Sequence, residues 1–332
     1  MTLTLSKFAV RGGGHMPIPG YNGIDSNGIL LSASNLTTLA LSSDKSIVSV
    51  GPGNRWGDVY TYLAPSNLAA VGGRVGHVGV PGLLLGGGIS FYSSQHGFAS
   101  DNIVKYQVTF PSANVTVYAA TKFYDSLTDS PRAFENFTAP QLPPVADSYA
   151  LQPLADYIAA TDALQPNGLR QVFRTLSSVV DREAIQETHD TFVSQVSSKL
   201  ATVAGLQASI TFQPVTKSFL QKSVDSGGNP QGVDILRAPF FWQVLNFTWN
   251  LASDDSTVQA AADVITADIN RILAKKSYSA TYLYMNDAGK GQRVFQSYPA
   301  ANLRKLKLIR AKYDPLKIYT NLLVGGWKVA DA

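Results

Sequence analysis

Residues 7–25 read KFAVRGGGHMPIPGYNGID: three consecutive glycines between an arginine and a histidine, directly after the apolar run Phe8-Ala9-Val10. Glycine loses more conformational freedom on folding than any other residue, so a run of it needs a backbone reason. Two reasons are open: a tight turn with positive φ, or something that approaches the main chain closely. These glycines have company. Residues 71–97, VGGRVGHVGVPGLLLGGGISFYSSQHG, hold Gly72, Gly73, Gly76, Gly79, Gly82, Gly86, Gly87, Gly88 and Gly97. A main chain bared over such a length lets successive N–H groups converge on an anion. Tight turns in a β-rich lobe are the competing reading for either cluster alone. Both clusters within one hundred residues favour a large anionic cofactor with an extended pyrophosphate. GRVGHVG offers glycines at dinucleotide spacing but does not run from a clear strand into a helix, so a Rossmann unit is a weak reading. No G-K-[ST] occurs, which excludes a Walker A loop.

The 332-residue chain is long enough for two domains, and 45% hydrophobic with 15% charged residues describes a well-buried globular protein. A net charge of +4, with Lys and Arg scattered, favours anionic ligands mildly and is no nucleic-acid footprint. The absence of cysteine excludes disulfides, thiolate metal sites and cysteine nucleophiles, and no metal site is expected. Sequons at Asn35, Asn114, Asn136 and Asn246 suit secretion, although a chain this rich in Ser and Thr supplies such triplets by chance. The start, MTLTLSKFAV, lacks the charged and apolar regions of a signal peptide. No apolar run reaches the ~18 residues a membrane span needs.

Along the chain, SIVSVGPG (46–53) reads as a strand entering a turn and WGDVYTYLAPSN (56–67) as a helix ended by Pro65. NIVKYQVTFPSANVTVYAA (102–120) reads as two alternating strands joined in a hairpin. Helical spacing of apolar residues covers 168–204, through GLRQVFRTLSSVV and TFVSQVSSKLATVA. A strand at 208–215 and a helix at 254–276 follow, the helix with Ser253 as its cap candidate and Asp254 and Asp255 at its positive end. ATYLYMND (280–287) reads as a strand, and AANLRKLKLIRAKY (300–313) as a helix stopped by Pro315. A glycine-rich α/β half followed by a mixed α+β half predicts two lobes with a ligand between them. The Pro- and Asp-punctuated segment 121–167 is the expected junction.

Four motifs in one order carry a resemblance: FAVRGGGHMPIPG, VSVGPGNRWGDVY, the 71–104 stretch, and YLYMNDAGKGQ with the later KYDP and GGWK. Together the chain resembles the berberine-bridge-enzyme-like flavoproteins of the vanillyl-alcohol oxidase superfamily, in texture closest to the fungal branch found in secondary metabolism. The resemblance implies an α+β, two-lobed PCMH-type FAD-binding fold with a mixed α/β substrate lobe. Its expected parts are an FAD-binding domain at 1–125, a substrate-binding domain at 126–300, and a segment at 301–332 returning to the FAD lobe. It also implies roles. Arg11 and Gly12, Gly13 and Gly14 follow the FAD pyrophosphate, and His15 bonds covalently to the flavin ring. Gly72, Gly73, Gly76, Gly79, Gly82, Gly86 and Gly87 line the cofactor, and Asn286 belongs to a cofactor-contacting motif. Some relatives make a second covalent link through a cysteine where this chain has Ser100, so a single link is expected. His77 and His96 carry no family role, and surface or capping positions are expected for them. In a strand at 280–287, Tyr282, Tyr284 and Asn286 share a face. Either tyrosine is then a candidate substrate anchor or, with a lowered pKa, a base; packing within the sheet competes for each.

The chain also departs from the family. It reaches the glycine loop almost at once, where relatives place a β-α-β segment, and it lacks a later GGGNFG-like stretch. Loss of both implies exposed sheet edges and weak flavin occupancy. The reading that follows is an FAD-linked oxidoreductase acting on a small organic molecule, with O2 reoxidising the flavin. A flavin-free relative, serving as a binding protein or a non-redox cyclisation catalyst, is the alternative.

Overall fold

The computed structural model describes residues 6–104, 153–162 and 168–332. In the first lobe, β1 (Phe8–Arg11) runs parallel to β2 (Ile29–Ser32), and β3 (Leu39–Leu41) pairs antiparallel with β4 (Val48–Val50). Strands this short bury little, and the core forms around helix α1 (Trp56–Leu63) instead. Trp56, Val59, Tyr60 and Leu63 recur at helical spacing, all buried, and face Val48, Ala70, Val80, Leu84 and Ala99. The Asp58 carboxylate accepts the Arg55 N–H at 2.8 Å, placing a negative charge at the helix N-terminus. A 3-10 turn at Ala64–Ser66 containing Pro65 ends the helix, as its sequence implies. Helices α2 (Val80–Leu85) and α3 (Ser93–His96) punctuate the second glycine stretch. Helix α4 (Leu154–Asp162) joins the same core through Ile158.

The second lobe is an antiparallel sheet of three long strands, β5 (Arg170–Val179), β6 (Gln207–Val215) and β7 (Phe240–Trp249), in the order β5-β7-β6. Side chains alternate across β7 and sort themselves between two environments. Leu245, Phe247 and Trp249 face helices α5 (Arg182–Lys199) and α7 (Asp255–Lys275), meeting Phe192, Val258, Ile265 and Ile269. Phe240, Trp242 and Val244 face the other way, onto Ile89, Phe98, Tyr282 and Tyr284 between the lobes. Between β6 and β7 lies α6 (Lys217–Asp225), capped by the Thr216 hydroxyl, which accepts the Phe219 N–H at 3.2 Å. Helix α8 (Ala300–Tyr313) lies exposed near the end of the chain. Beyond it, the Phe8 N–H donates to the Leu322 carbonyl at 2.9 Å and the Val324 N–H to the Phe8 carbonyl at 2.8 Å.

The structure corrects three sequence readings. Residues 170–179, expected to be helical, form β5. Val172, Arg174 and Leu176 share the face toward the helices, where Arg174, only 3% exposed, pairs with Asp263 at 2.8 Å, while Thr175 and Ser177 are buried on the other, so both faces are covered. Residues 280–287 form no strand. Main-chain pairing to β5 stops at the Ala280 N–H, which donates to the Ser177 carbonyl at 2.9 Å, and Met285–Asp287 make a 3-10 turn. Ser253 does not cap α7; a 3-10 turn at Ala252–Asp254 leads into it, with Asp254 at the cap position. The hairpin expected at 102–120 and most of the 121–167 junction lie outside the described residues.

Candidate functional site

Between the lobes lies a cavity of about 1110 Å³, larger than the roughly 300–1,000 Å³ of ordinary small-molecule pockets. One wall is the two glycine loops, with Arg11 to Met16 beside Arg74, Val75 and His77 to Gly79. The facing wall is the polar end of the sheet: Gln171 and Phe173 from β5, Gln207 and Ser209 from β6, Asn246 and Thr248 from β7. Tyr284, Asn286, Asp287 and Trp327 close a third side. The β7 face that is dry at Trp242 thus turns polar two pleats later, where the lobes part.

Both reasons for the triple glycine apply, at different residues. A Cβ on Gly13 would stand 2.5 Å from the Gly79 Cα, and one on Gly79 would stand 2.4 Å from the Gly13 nitrogen. The two loops touch main chain to main chain, and neither tolerates a side chain there. Gly14 has φ +69°, the left-handed region. Among the described residues, no carbonyl or side chain accepts a hydrogen bond from the N–H groups of Gly12, Gly13 or Gly14, which border the cavity. Three free donors on one open loop are an anion cradle.

His15 ends that cradle. Displacement of water by the surrounding chain lowers its pKa, the positive charge of Arg55 and His77 adds to this, and Asp162 acts against it. Its neutral, nucleophilic form is therefore favoured. His77, expected at the surface or as a cap, has a side chain 37% exposed and also lines the cavity, with Nε2 3.7 Å from an Asp162 oxygen; the same carboxylate accepts the Gly76 N–H at 2.9 Å. His96 stays in the last turn of α3, away from the cavity wall.

Of the predicted cofactor-binding residues, the cavity brings together Arg11, Gly12, Gly13, Gly14, His15, Gly79, Gly82 and Asn286. Gly72, Gly73, Gly76, Gly86, Gly87 and Ser100 lie behind the wall. Gly72 and Gly73 lie flat on the Trp56 ring, and Gly76 abuts Asp162. Gly86 makes room for Asn286, whose Oδ1 would stand 2.0 Å from an added Cβ, while the Asn286 Nδ2 donates to the Leu83 carbonyl at 2.9 Å. Gly87 faces Gln231, and the buried Ser100 hydroxyl has no hydrogen-bond partner among the described residues.

The two tyrosines separate. Tyr282 is buried against Phe240 and does not reach the cavity. Tyr284 does, and its hydroxyl oxygen accepts from the Ile89 N–H at 3.0 Å and from the Asn286 Nδ2 at 2.9 Å. Burial pushes both phenols well above their ordinary pKa, so the lowered pKa that a tyrosine base needs is absent. Arg74 and Asp287 were not singled out from sequence. The Arg74 guanidinium donates to the Gln213 Oε1 at 2.6 Å and lies 5.9 Å over the Trp242 ring. Its only sequence signal is a lone cation within the second glycine stretch.

Residues 5–118 match the family described as FAD binding domain. An FAD-dependent monooxygenase of Arthrobotrys oligospora is 28% identical over 97% of this chain and 77% of its own length. A second, from Cochliobolus heterostrophus, is 29% identical over 98% and 80%. These alignments run to 397 and 420 positions, longer than the 332-residue chain, so both relatives hold internal segments with no counterpart here. Among solved structures, 6-hydroxy-D-nicotine oxidase from Arthrobacter nicotinovorans superposes with a TM-score of 0.70 at 16% identity, covering 97% of this chain and 87% of that one. Berberine bridge enzyme from Eschscholzia californica superposes with a TM-score of 0.66 at 13% identity, covering 97% and 86%. Both likenesses are of fold.

Proposed function

For a chain that carries an FAD-binding domain within the fold of the berberine-bridge-like flavoenzymes, we propose an FAD-dependent oxidoreductase acting on a small organic molecule, with O2 taking up the electrons. One observation carries this reading: the N–H groups of Gly12, Gly13 and Gly14, without acceptors among the described residues, border a cavity of cofactor size, with the His15 imidazole at the end of the row. The residues fit the group. The Gly12–Gly14 N–H groups would take the pyrophosphate, Arg11 would add charge, and Gly79 and Gly82 would keep the wall flat. Asn286 would face the ring side, and His15 would be the covalent link. Ser100, a hydroxyl behind the wall, supports one link rather than two.

FAD, when bound, supplies two-electron oxidation of a substrate C–H or C–N bond. The chain's own part is position and exclusion of water. Tyr284 spends both acceptor positions on Ile89 and Asn286, so its remaining capacity is to donate its own proton in a hydrogen bond. It anchors rather than deprotonates. Gln171, Asn246 and Ser209 offer donors and acceptors across the sheet floor, where the Gln171 Nε2 already donates to the Asn246 Oδ1 at 3.0 Å. No observation supports the flavin-free alternative.

The test is spectroscopic. The purified protein is expected to be yellow, with flavin that stays on the polypeptide after acid precipitation, and His15→Ala is expected to release it. A colourless wild type overturns the cofactor assignment; flavin still covalent in His15→Ala overturns the link.

A further inference from the structure

Apart from Arg11, already set beside the glycine loop, two charged side chains in the cavity wall make no ion pair among the described residues. Among the described residues no carboxylate lies within ion-pair distance of Arg74, whose one hydrogen bond goes to neutral Gln213. The Asp287 carboxylate accepts no hydrogen bond from the described residues, although the Asp287 main-chain N–H is engaged by the Tyr284 carbonyl at 3.2 Å. Arg74 belongs to the glycine-loop lobe and Asp287 to the turn that follows Tyr284; both line the cavity and the Arg74 charge acts on Asp287, yet no ion pair joins them.

Burial pushes the Asp287 carboxyl up to about 7, and the Arg74 charge only partly offsets this. The other ionisable groups around it are Tyr284 and Tyr282, both held neutral by burial. Arg174 of β5, beside Gly289, has its charge met by Asp263. Near neutral pH the site is therefore one fixed cation beside an acid that is easily protonated. Its net charge is positive, and both groups then present donors. A ligand offering two acceptor oxygens and a negative charge complements it; a neutral hydroxyl does not.

We propose that Arg74 and Asp287 form a binding site for the carboxylate of an acidic organic substrate, and that Asp287 takes up one proton as that carboxylate binds. The proton comes from solvent and forms an O–H bond on the Asp287 carboxyl, which donates to one ligand oxygen while the Arg74 guanidinium donates to the other. No other bond changes. This rests on the reading that the same cavity receives the substrate.

Benzoate serves as the probe, titrated calorimetrically into the flavin-loaded protein between pH 6 and 9, in buffers of different ionisation enthalpy. Wild type is expected to take up about one proton per benzoate at pH 8, with affinity falling roughly tenfold per pH unit above the carboxyl's pKa. Asp287→Asn is expected to keep binding with no proton uptake and a flat pH profile. Arg74→Gln is expected to weaken binding roughly tenfold or more, as loss of a charge-assisted contact does. The wild-type proton count needs no variant to fold. Binding without proton uptake, no binding, or undiminished binding in Arg74→Gln overturns the proposal; the last result is also what engagement of Arg74 by the flavin would give. Flavin absorbance in the same samples reports the cofactor reading separately. Yellow protein that ignores benzoate sinks this inference alone, and colourless protein that takes up benzoate with a proton sinks only the cofactor.

Discussion

Strands β1 to β4 of the first lobe are three or four residues long, whereas β5, β6 and β7 run for nine or ten. The sheet lobe is held by large side chains: Phe247 and Leu245 are fully buried, and Trp249 is 1% exposed. The glycine-loop lobe is held at its working edge by main chain against main chain, Gly13 on Gly79. A packed side chain can be trimmed and its neighbours relax toward the gap. Two touching backbones have no slack. That edge keeps its N–H groups bare and does without packed side chains, while the core of its own lobe gathers behind it around Trp56 and Tyr60.

Four measurements bear on this contrast. The largest effect is expected from Phe247→Ala, which removes a ring from the sheet core and costs about 3–5 kcal/mol in denaturant unfolding, while the fraction still folded keeps its flavin. Gly13→Ala is the converse. It forces a Cβ into the Gly79 backbone, costs about 1–3 kcal/mol, and is expected to abolish flavin retention although the sheet lobe stays folded by circular dichroism. If both variants lose flavin in proportion to stability, the division of labour is wrong.

Third is Asp287→Asn. The folded protein holds the Asp287 proton up to about pH 7, while the unfolded chain releases it near the ordinary 3.8, so the folded state binds more protons between these values. Its stability therefore falls as pH rises from about 4 to 7, and removing the carboxylate relieves this. Asp287→Asn is expected to match wild type at pH 4 and to exceed it at pH 8 by an amount on the order of 2 kcal/mol. Equal stability of the two proteins at pH 8 would show that Asp287 is as well solvated as an ordinary carboxylate. The smallest effect is Asp181→Ala. Its carboxylate accepts the Glu183 and Ala184 N–H groups at 2.8 and 3.0 Å to cap α5, and about 1 kcal/mol of sheet-lobe stability goes with it, leaving flavin content unchanged.

The same contrast explains what could be read from sequence. Glycine is conspicuous, so the loops of the first lobe, and the residues from Arg11 to His15 on the cavity wall, were legible. Its helix at 56–63 was legible too, because Trp56, Val59, Tyr60 and Leu63 fall on one stripe. The sheet was not. β7 reads FFWQVLNFTW, apolar on both faces, and carries no alternation to mark a strand. β5 fails the same way, its Val172, Phe173 and Leu176 falling at helical spacing by accident. At 280–287 the side chains do alternate, but a period of two fixes which way side chains point, not whether a neighbouring strand is there to pair. Half of the cavity was hidden for a further reason. Arg74, Gln171, Asn246 and Asp287 come from four distant segments, and only the folded chain makes them neighbours. Conversely, the glycine count overstated the site: Gly72, Gly73 and Gly76 are bare to admit Trp56 and Asp162, not a ligand.

The hydrogen bonds from Phe8 to Leu322 and Val324 set a schedule for the nascent chain. The strand that leads into the Gly12–Gly14 loop leaves the ribosome well before Leu322 and Val324, and one of its edges stays unpaired until they have followed. At roughly 5–20 residues per second that wait lasts on the order of half a minute. Only in its last part, once residue 249 has emerged, is the sheet between 170 and 249 free to form. The edge beside the Gly12–Gly14 loop is therefore closed only after the sheet of the other lobe is able to form.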